Sequence, residues 1–210
     1  MKTPPVSMIV AMTQNGVIGN NGVMPWGVRD LSRDMAHFVK LTSNSAALMG
    51  PKTYASIGKP LSGRLNIILT KNRAYKAPEG VLVAHDPGQA LQLAAIRNYA
   101  EFFVIGGSMV YASFLPLAER LYITYVGSDL GGDTTFPYWD KDLWYEVWIE
   151  KKWRKGVKDR FPTRFAEYRR KYQPLPKDAQ VTWRLPGDNF DYRSQILFAE
   201  RPKPRLIVVN

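Results

Sequence analysis

Apolar positions along this chain fall into short runs separated by stretches with helical spacing. Residues 7–13 (SMIVAMT) form a short apolar run rich in strand formers and predict a first strand. Asn15-Gly16 and Asn20-Asn21-Gly22 are turn signals on either side of Val17-Ile18-Gly19, so residues 14–26 read as one long loop. Residues 30–41 place apolar side chains at 31, 35, 38 and 41, which predicts a helix. Residues 44–50 read as a second strand, 52–57 as a short helix and 60–63 as a turn. Residues 65–70 (LNIILT) and 80–84 predict two further strands. Residues 87–100 predict a helix with apolar positions 91, 94, 95 and 99. A strand over 101–105 then runs into Gly106-Gly107, a helix over 108–114 has Ser108 near its N-cap, and 120–126 (RLYITYV) is a strand.

Strands thus alternate with helices through residue 126. That order predicts an α/β fold with a mostly parallel central sheet between helices. Residues 145–152 and 192–200 read as two long strands, able to pair antiparallel at the sheet edge.

With 210 residues and 45% hydrophobic content, the chain suits one domain, 1–210, with a sizeable core. No apolar run reaches the ~18 residues of a membrane span, and the N-terminal residues lack the features of a signal peptide. Cysteine is absent and there are two histidines, which argues against disulfides and against a metal site. A cytoplasmic location is the expectation.

Charge changes this picture in one place. The net charge is +11, and residues 151–185 hold twelve Lys/Arg against three Asp/Glu, so 12 − 3 = +9 of it is local. Residues 153–188 therefore read as a basic insert between the last two strands. Within it Phe161, Phe165, Tyr168 and Tyr172 are spaced to share one face of a helix, which Pro174 and Pro176 would end. A solvated appendage, a polyanion-binding element using basic residues interleaved with Trp153 and Trp183, and a protein-docking element all fit this pattern.

Two strand-to-helix junctions are rich in glycine: Gly50-Pro51-Lys52-Thr53 and Gly106-Gly107-Ser108. Free N–H groups at helix starts suit phosphate, yet neither junction is a GxGxxG or a P-loop, and a plain tight turn that needs glycine is the simpler reading of each. Asp34 sits among Leu31, Met35 and Phe38, where partial burial would raise its pKa; a solvated helix acid is the simpler reading.

In order, the segments MIVAMT, GVIGNNGVMPW, DMAHFVKLT, LMGPKTYASIGKPLSGRLNIILT, FFVIGGSMVYASFLPLAERLYITYV and GDTTFP closely resemble the dihydrofolate reductase family. The resemblance covers about residues 6–150 and resumes weakly at 190–200. It implies the three-layer fold of that family, with antiparallel C-terminal edge strands, and reduction of 7,8-dihydrofolate by NADPH. It implies that Asp34 is the active-site acid, braced by Thr124, with Met24 and Trp26 in a mobile loop over the nicotinamide. Ile9, Ala11, Met35, Phe38, Ile57, Leu61, Ile105 and Tyr111 would line the substrate site, and Arg64 would clamp the substrate α-carboxylate. For the cofactor it implies Ala11, Ile18, Gly19, Lys52, Thr53, Thr70, Lys71, Gly106, Gly107, Ser108, Met109, Val110 and Thr134. Lys52 and Lys71 would meet the 2′-phosphate, and Gly106-Gly107 would be a cis peptide.

The chain departs from the family between Trp26 and Asp34, which are eight residues apart, a longer gap than usual. The added length must bulge or lengthen the helix, and it makes Asp30 a rival for the acid's role. Asp34 keeps its spacing to Phe38 and Thr42. A pyrimidine reductase on the same scaffold and a non-catalytic binding protein are the alternative functions. Arg64 speaks for a glutamate-tailed substrate, and the intact site residues speak for an enzyme.

Overall fold

The computed structural model describes residues 3–27 and 30–171. In chain order it contains β1 (Val6–Thr13), β2 (Val17–Gly19), α1 (Ser32–Thr42), β3 (Ala46–Met49), α2 (Pro51–Ile57), β4 (Leu65–Leu69) and β5 (Val81–Ala84). There follow α3 (Pro87–Ile96), β6 (Phe102–Val104), α4 (Ser108–Phe114), β7 (Arg120–Val126), β8 (Thr134–Thr135), β9 (Trp144–Ile149) and β10 (Thr163–Arg170). The main sheet has the order β5-β4-β3-β6-β1-β7-β10-β9. Its pairs are parallel from β5 to β7, and β10 runs antiparallel to both β7 and β9.

The two-residue side-chain period of the strands makes this a three-layer structure. In β3, Ala46 and Leu48 join one cluster with Ala90, Leu91 and Ala94 of α3 and Val110, Tyr111 and Phe114 of α4. Ala47 and Met49 point the other way, to Tyr54 and Ile57 of α2. Continuous apolar runs such as LNIIL are buried on both faces, as parallel strands between helical layers require. Trp26, Leu31 and Val126 form a third cluster under the loop that leads into α1.

The α/β expectation and the antiparallel edge hold, with four corrections. First, residues 161–171 do not form a helix: residues 163–170 are β10, and Tyr172, Pro174 and Pro176 lie outside the described residues. The spacing of three between Phe165 and Tyr168 puts them on one side of a helix but on opposite faces of a strand. Phe165 stacks on His37 of α1 at 4.0 Å, whereas Tyr168 packs edge-on to Trp139 at 4.9 Å on the far face. A two-sided sheet needs aromatics on both faces, and tertiary contacts override the helical period.

Second, the partner of β9 comes from within the basic stretch 153–188, so residues 163–170 are core sheet and not appendage. The strand expected at 192–200 lies outside the described residues, as does Trp183. Third, the loop 14–26 contains β2, which pairs with β8 to make a separate two-stranded ribbon. Fourth, α1 begins at Ser32, two residues later than its periodicity suggests; the extra length before Asp34 is taken up outside the helix.

Candidate active site

Asp34 lies in the first turn of α1, where a carboxylate is favoured by the helix dipole. The surrounding protein overrides that preference. Burial pushes its carboxyl up to about 6; the hydrogen bond with Thr124 opposes the shift, and the negative charge of Asp159 adds to it. Thr124 is buried on β7, where it pairs with Ala11 of β1 on one side and Phe165 of β10 on the other. Asp34 keeps a partial opening to solvent, so the group is both desolvated and reachable.

Tyr111 of α4 closes the constellation from below. Its hydroxyl donates to the Ile9 carbonyl at 2.7 Å, and burial, then the charge of Asp34, raise its pKa. The phenol is therefore a neutral donor already in use. Asp30 is placed elsewhere: its carboxylate lies 3.8 Å from the exposed Arg160 guanidinium, and its carbonyl accepts from Arg160 N–H. Of the two acids, Asp34 is the one among Thr124, Tyr111, Ile9 and Ala11.

Along α1, Phe38 follows Asp34 by four residues and so lies on the same side of the helix, about 6 Å further on. The Arg64 guanidinium sits 5.6 Å from the centre of its ring, and Arg64 Nε is buried without a hydrogen-bond partner. Leu61 and Arg64 are held by Asn66, whose side chain accepts from Leu61 N–H and donates to the carbonyls of Leu61 and Arg64. Ile57, Leu61 and Ile105 pack at the border of the α2 cluster, and Met35 is exposed on α1. Asp34 and Phe38 thus share one side of α1, and the Arg64 guanidinium stands beside the Phe38 ring.

A second group of residues surrounds the ends of β3 and β6. Gly50 N–H donates to the Gly106 carbonyl at 2.8 Å, joining the two glycine-rich junctions. The Gly106-Gly107 peptide is cis. A Cβ on Gly107 would lie 3.4 Å from the Thr53 hydroxyl, and one on Gly50 would lie 3.2 Å from Val110. Side chains there would fill the space that the glycines leave. Ser108 is tied to the Thr135 carbonyl, Met109 is exposed, and Gly19 faces Thr134 across the β2–β8 ribbon. Lys52 and Lys71 are exposed; Thr70 accepts from Asn72 N–H through its hydroxyl. Ile18 packs at the edge of the main core, Met24 beside Trp26, and Trp26 itself is buried.

Three contributors are absent from the sequence-based set. Asp133 accepts from Asn21 N–H at 2.9 Å, tying the loop before Trp26 to the β8 turn. Gly132 backs this loop so closely that a Cβ there would meet the Gly19 carbonyl. Asp159 lies beside the start of α1. Its one visible signal is that it is the lone acid in residues 151–160, and such isolation alone does not say what it faces.

Residues 5–170 match the family model described as dihydrofolate reductase. The chain is 39% identical over 142 residues to "Dihydrofolate reductase type 3" of Salmonella typhimurium, covering 68% of this chain and 84% of that protein. It is 36% identical over 165 residues to the dihydrofolate reductase of Haemophilus influenzae, covering 79% and 98%. Its fold is similar to that of dihydrofolate reductase from Enterococcus faecalis complexed with NADP(H) and RAB-propyl, with a TM-score of 0.71 and 31% identity over 80% of this chain and 97% of that one.

Proposed function

The chain belongs to the dihydrofolate reductase family, and from that premise we propose that it reduces 7,8-dihydrofolate to 5,6,7,8-tetrahydrofolate, with hydride going to C6 and a proton to N5. The observation that carries this reading is the Asp34 carboxyl, pushed up to about 6 by burial while still open to solvent. An acid tuned this way exists in both protonation states near neutral pH, which suits it to bind a basic heterocycle and to support its protonation.

Thr124 holds the orientation of that carboxyl. Tyr111, already donating to Ile9, adds no charge that would compete for the proton. Ala11, Met35, Phe38, Ile57, Leu61 and Ile105 would flank the flat pterin and benzoyl rings and keep water from them. The buried, unpartnered Arg64 Nε fits an anionic ligand, and a guanidinium can take the substrate α-carboxylate through two parallel hydrogen bonds.

The residues around Gly50 and Gly106 fit NADPH. The space left by Gly107 beside the Thr53 hydroxyl would admit a pyrophosphate oxygen close to the backbone. Lys52 and Lys71 would offer cations to a 2′-phosphate. Bound NADPH supplies the hydride; this chain's residues supply alignment and the proton's electrostatics. The β2–β8 ribbon and the Asp133–Asn21 contact would steady the loop carrying Met24 and Trp26 over that site.

The test is an assay with NADPH and 7,8-dihydrofolate, followed at the nicotinamide absorbance, on the wild type and on Asp34→Asn. Turnover that collapses in the variant supports both reaction and acid. An inactive, folded wild type would sink the reading.

A further inference from the structure

We propose that Asp159, in the loop between β9 and β10, is a positioning residue for Asp34: it fixes the first turn of α1 and holds a negative charge beside the acid. The proposal rests on the dihydrofolate reductase reading for its catalytic meaning.

The geometry starts from a helix that lacks its own cap. The N-cap residue of α1 is Leu31, which has no side chain able to accept from the free N–H groups of the first turn. Asp159 takes over that task from 127 residues away in sequence. Its Oδ1 accepts from the Ser32 hydroxyl at 2.6 Å and from Arg33 N–H at 3.2 Å, while its Oδ2 accepts from Gly156 N–H at 2.8 Å. Gly156 leaves room for this: a Cβ there would stand 2.8 Å from Oδ2. Asp159 is 4% exposed, an unusual place for a carboxylate unless its bonds have a purpose.

Burial opposes ionisation of Asp159, but the bonds from Ser32, Gly156 and Arg33 outweigh it and hold its carboxyl below the usual range. It therefore stays charged wherever Asp34 titrates. The other groups around Asp34 do not replace it. Thr124 on β7 gives a hydrogen bond that favours the ionised acid, and Tyr111 on α4 is neutral. On α1 itself, Arg33 pairs with Glu150, and both Arg33 and His37 lie against Phe165 of β10. The Arg33 guanidinium is thereby engaged by Glu150, and only the Arg33 backbone N–H reaches Asp159. The negative charge of Asp159 works on Asp34, which turns an otherwise basic loop into a support for the acid's protonated form.

The test is a carbon-13 NMR titration of the Asp34 carboxyl in wild type, Asp159→Asn and Ser32→Ala, with thermal midpoints alongside. Asparagine keeps an oxygen for Ser32 and Arg33 but removes the charge. The Asp34 midpoint is expected to fall by about 0.3–0.5 pH unit in Asp159→Asn, and to stay within about 0.1 unit in Ser32→Ala, which keeps the charge. The alkaline fall in kcat with dihydrofolate would move down with it, with KM unchanged. An unmoved midpoint in Asp159→Asn, or an equal shift in Ser32→Ala, would overturn the proposal. If Asp159→Asn does not fold, Asp159→Ser is read in the same way. Absence of turnover in the wild type would defeat the functional reading alone, because the titration needs no substrate.

Discussion

Arg33 lies with its guanidinium carbon 4.0 Å above the ring of Phe165, turned away from Asp34, its neighbour in sequence. Adjacent residues on a helix diverge by about 100°, so an arginine and an acid side by side need not form a pair. Here the divergence leaves the arginine to Glu150, just after β9, and to Thr163 of β10, and the acid to Thr124. Asp34 therefore escapes the cation that would have lowered its pKa.

Catalysis should depend on the protonated form of Asp34. Turnover should decline as pH rises through about 6, where the acid gives up its proton. Asp34→Asn should lose about 10²–10⁴ in kcat/KM at neutral pH. A pH profile of steady-state turnover checks both; a variant retaining full activity would remove Asp34 from the mechanism.

The same acid should cost the fold stability at high pH. Its carboxyl rises from 3.8 to about 6 on folding, so between those values the folded state binds more proton than the unfolded one. Stability linked to this group is present below 3.8 and is lost as pH rises through about 6. The loss is at most about 2–3 kcal/mol, since one pKa unit is about 1.4 kcal/mol. Asp34→Asn should therefore be more stable than wild type at pH ~8, and the gap should close by pH ~4. Urea unfolding at the two pH values measures it.

Arg64 should act on substrate binding. Arg64→Leu should raise KM for dihydrofolate by about 10- to 100-fold with a smaller change in kcat, the worth of a charge-assisted hydrogen bond. Arg64→Lys should recover little, because an ammonium cannot form the two parallel bonds. Initial-rate kinetics at saturating NADPH distinguish these cases, and an unchanged KM would separate Arg64 from the substrate.

Gly132→Ala should damage the β2–β8 ribbon. Its Cβ would fall 2.2 Å from the Gly19 carbonyl oxygen and 2.5 Å from Val17, so β2 and β8 must separate. The overpacking should cost about 1–3 kcal/mol, or roughly 2–12 °C in Tm for a chain of this size. Gly131→Ala, with nothing within 4 Å of its Cβ, is the control and should melt like wild type. Equal melting of the two variants would mean the ribbon yields freely.

Lys52 should influence cofactor choice. Lys52→Ala should raise KM for NADPH while leaving KM for NADH nearly unchanged, since the two differ by one phosphate. The ratio of the two KM values, measured at fixed ionic strength, is the readout.

By itself the sequence determined the alternation of strands and helices through residue 126, because continuous apolar runs and helical spacing are local patterns. Ordered motifs around Trp26, Asp34, Arg64 and Gly106-Gly107 were also legible, and so was the family. Only the tertiary structure decided how Phe165 and Tyr168 are used. Their spacing fits a helix, yet the sheet needs one aromatic against α1 and the other against Trp139, and burial on two faces outweighs local periodicity. It also separated Asp30 from Asp34 physically: the sequence favoured Asp34 only through its spacing to Phe38 and Thr42, and what distinguishes the two in the fold is that the Asp34 carboxyl is desolvated beside Thr124 while Asp30 lies against Arg160. Asp159 makes the same point at long sequence separation, since a bond across 127 residues leaves no local pattern to read.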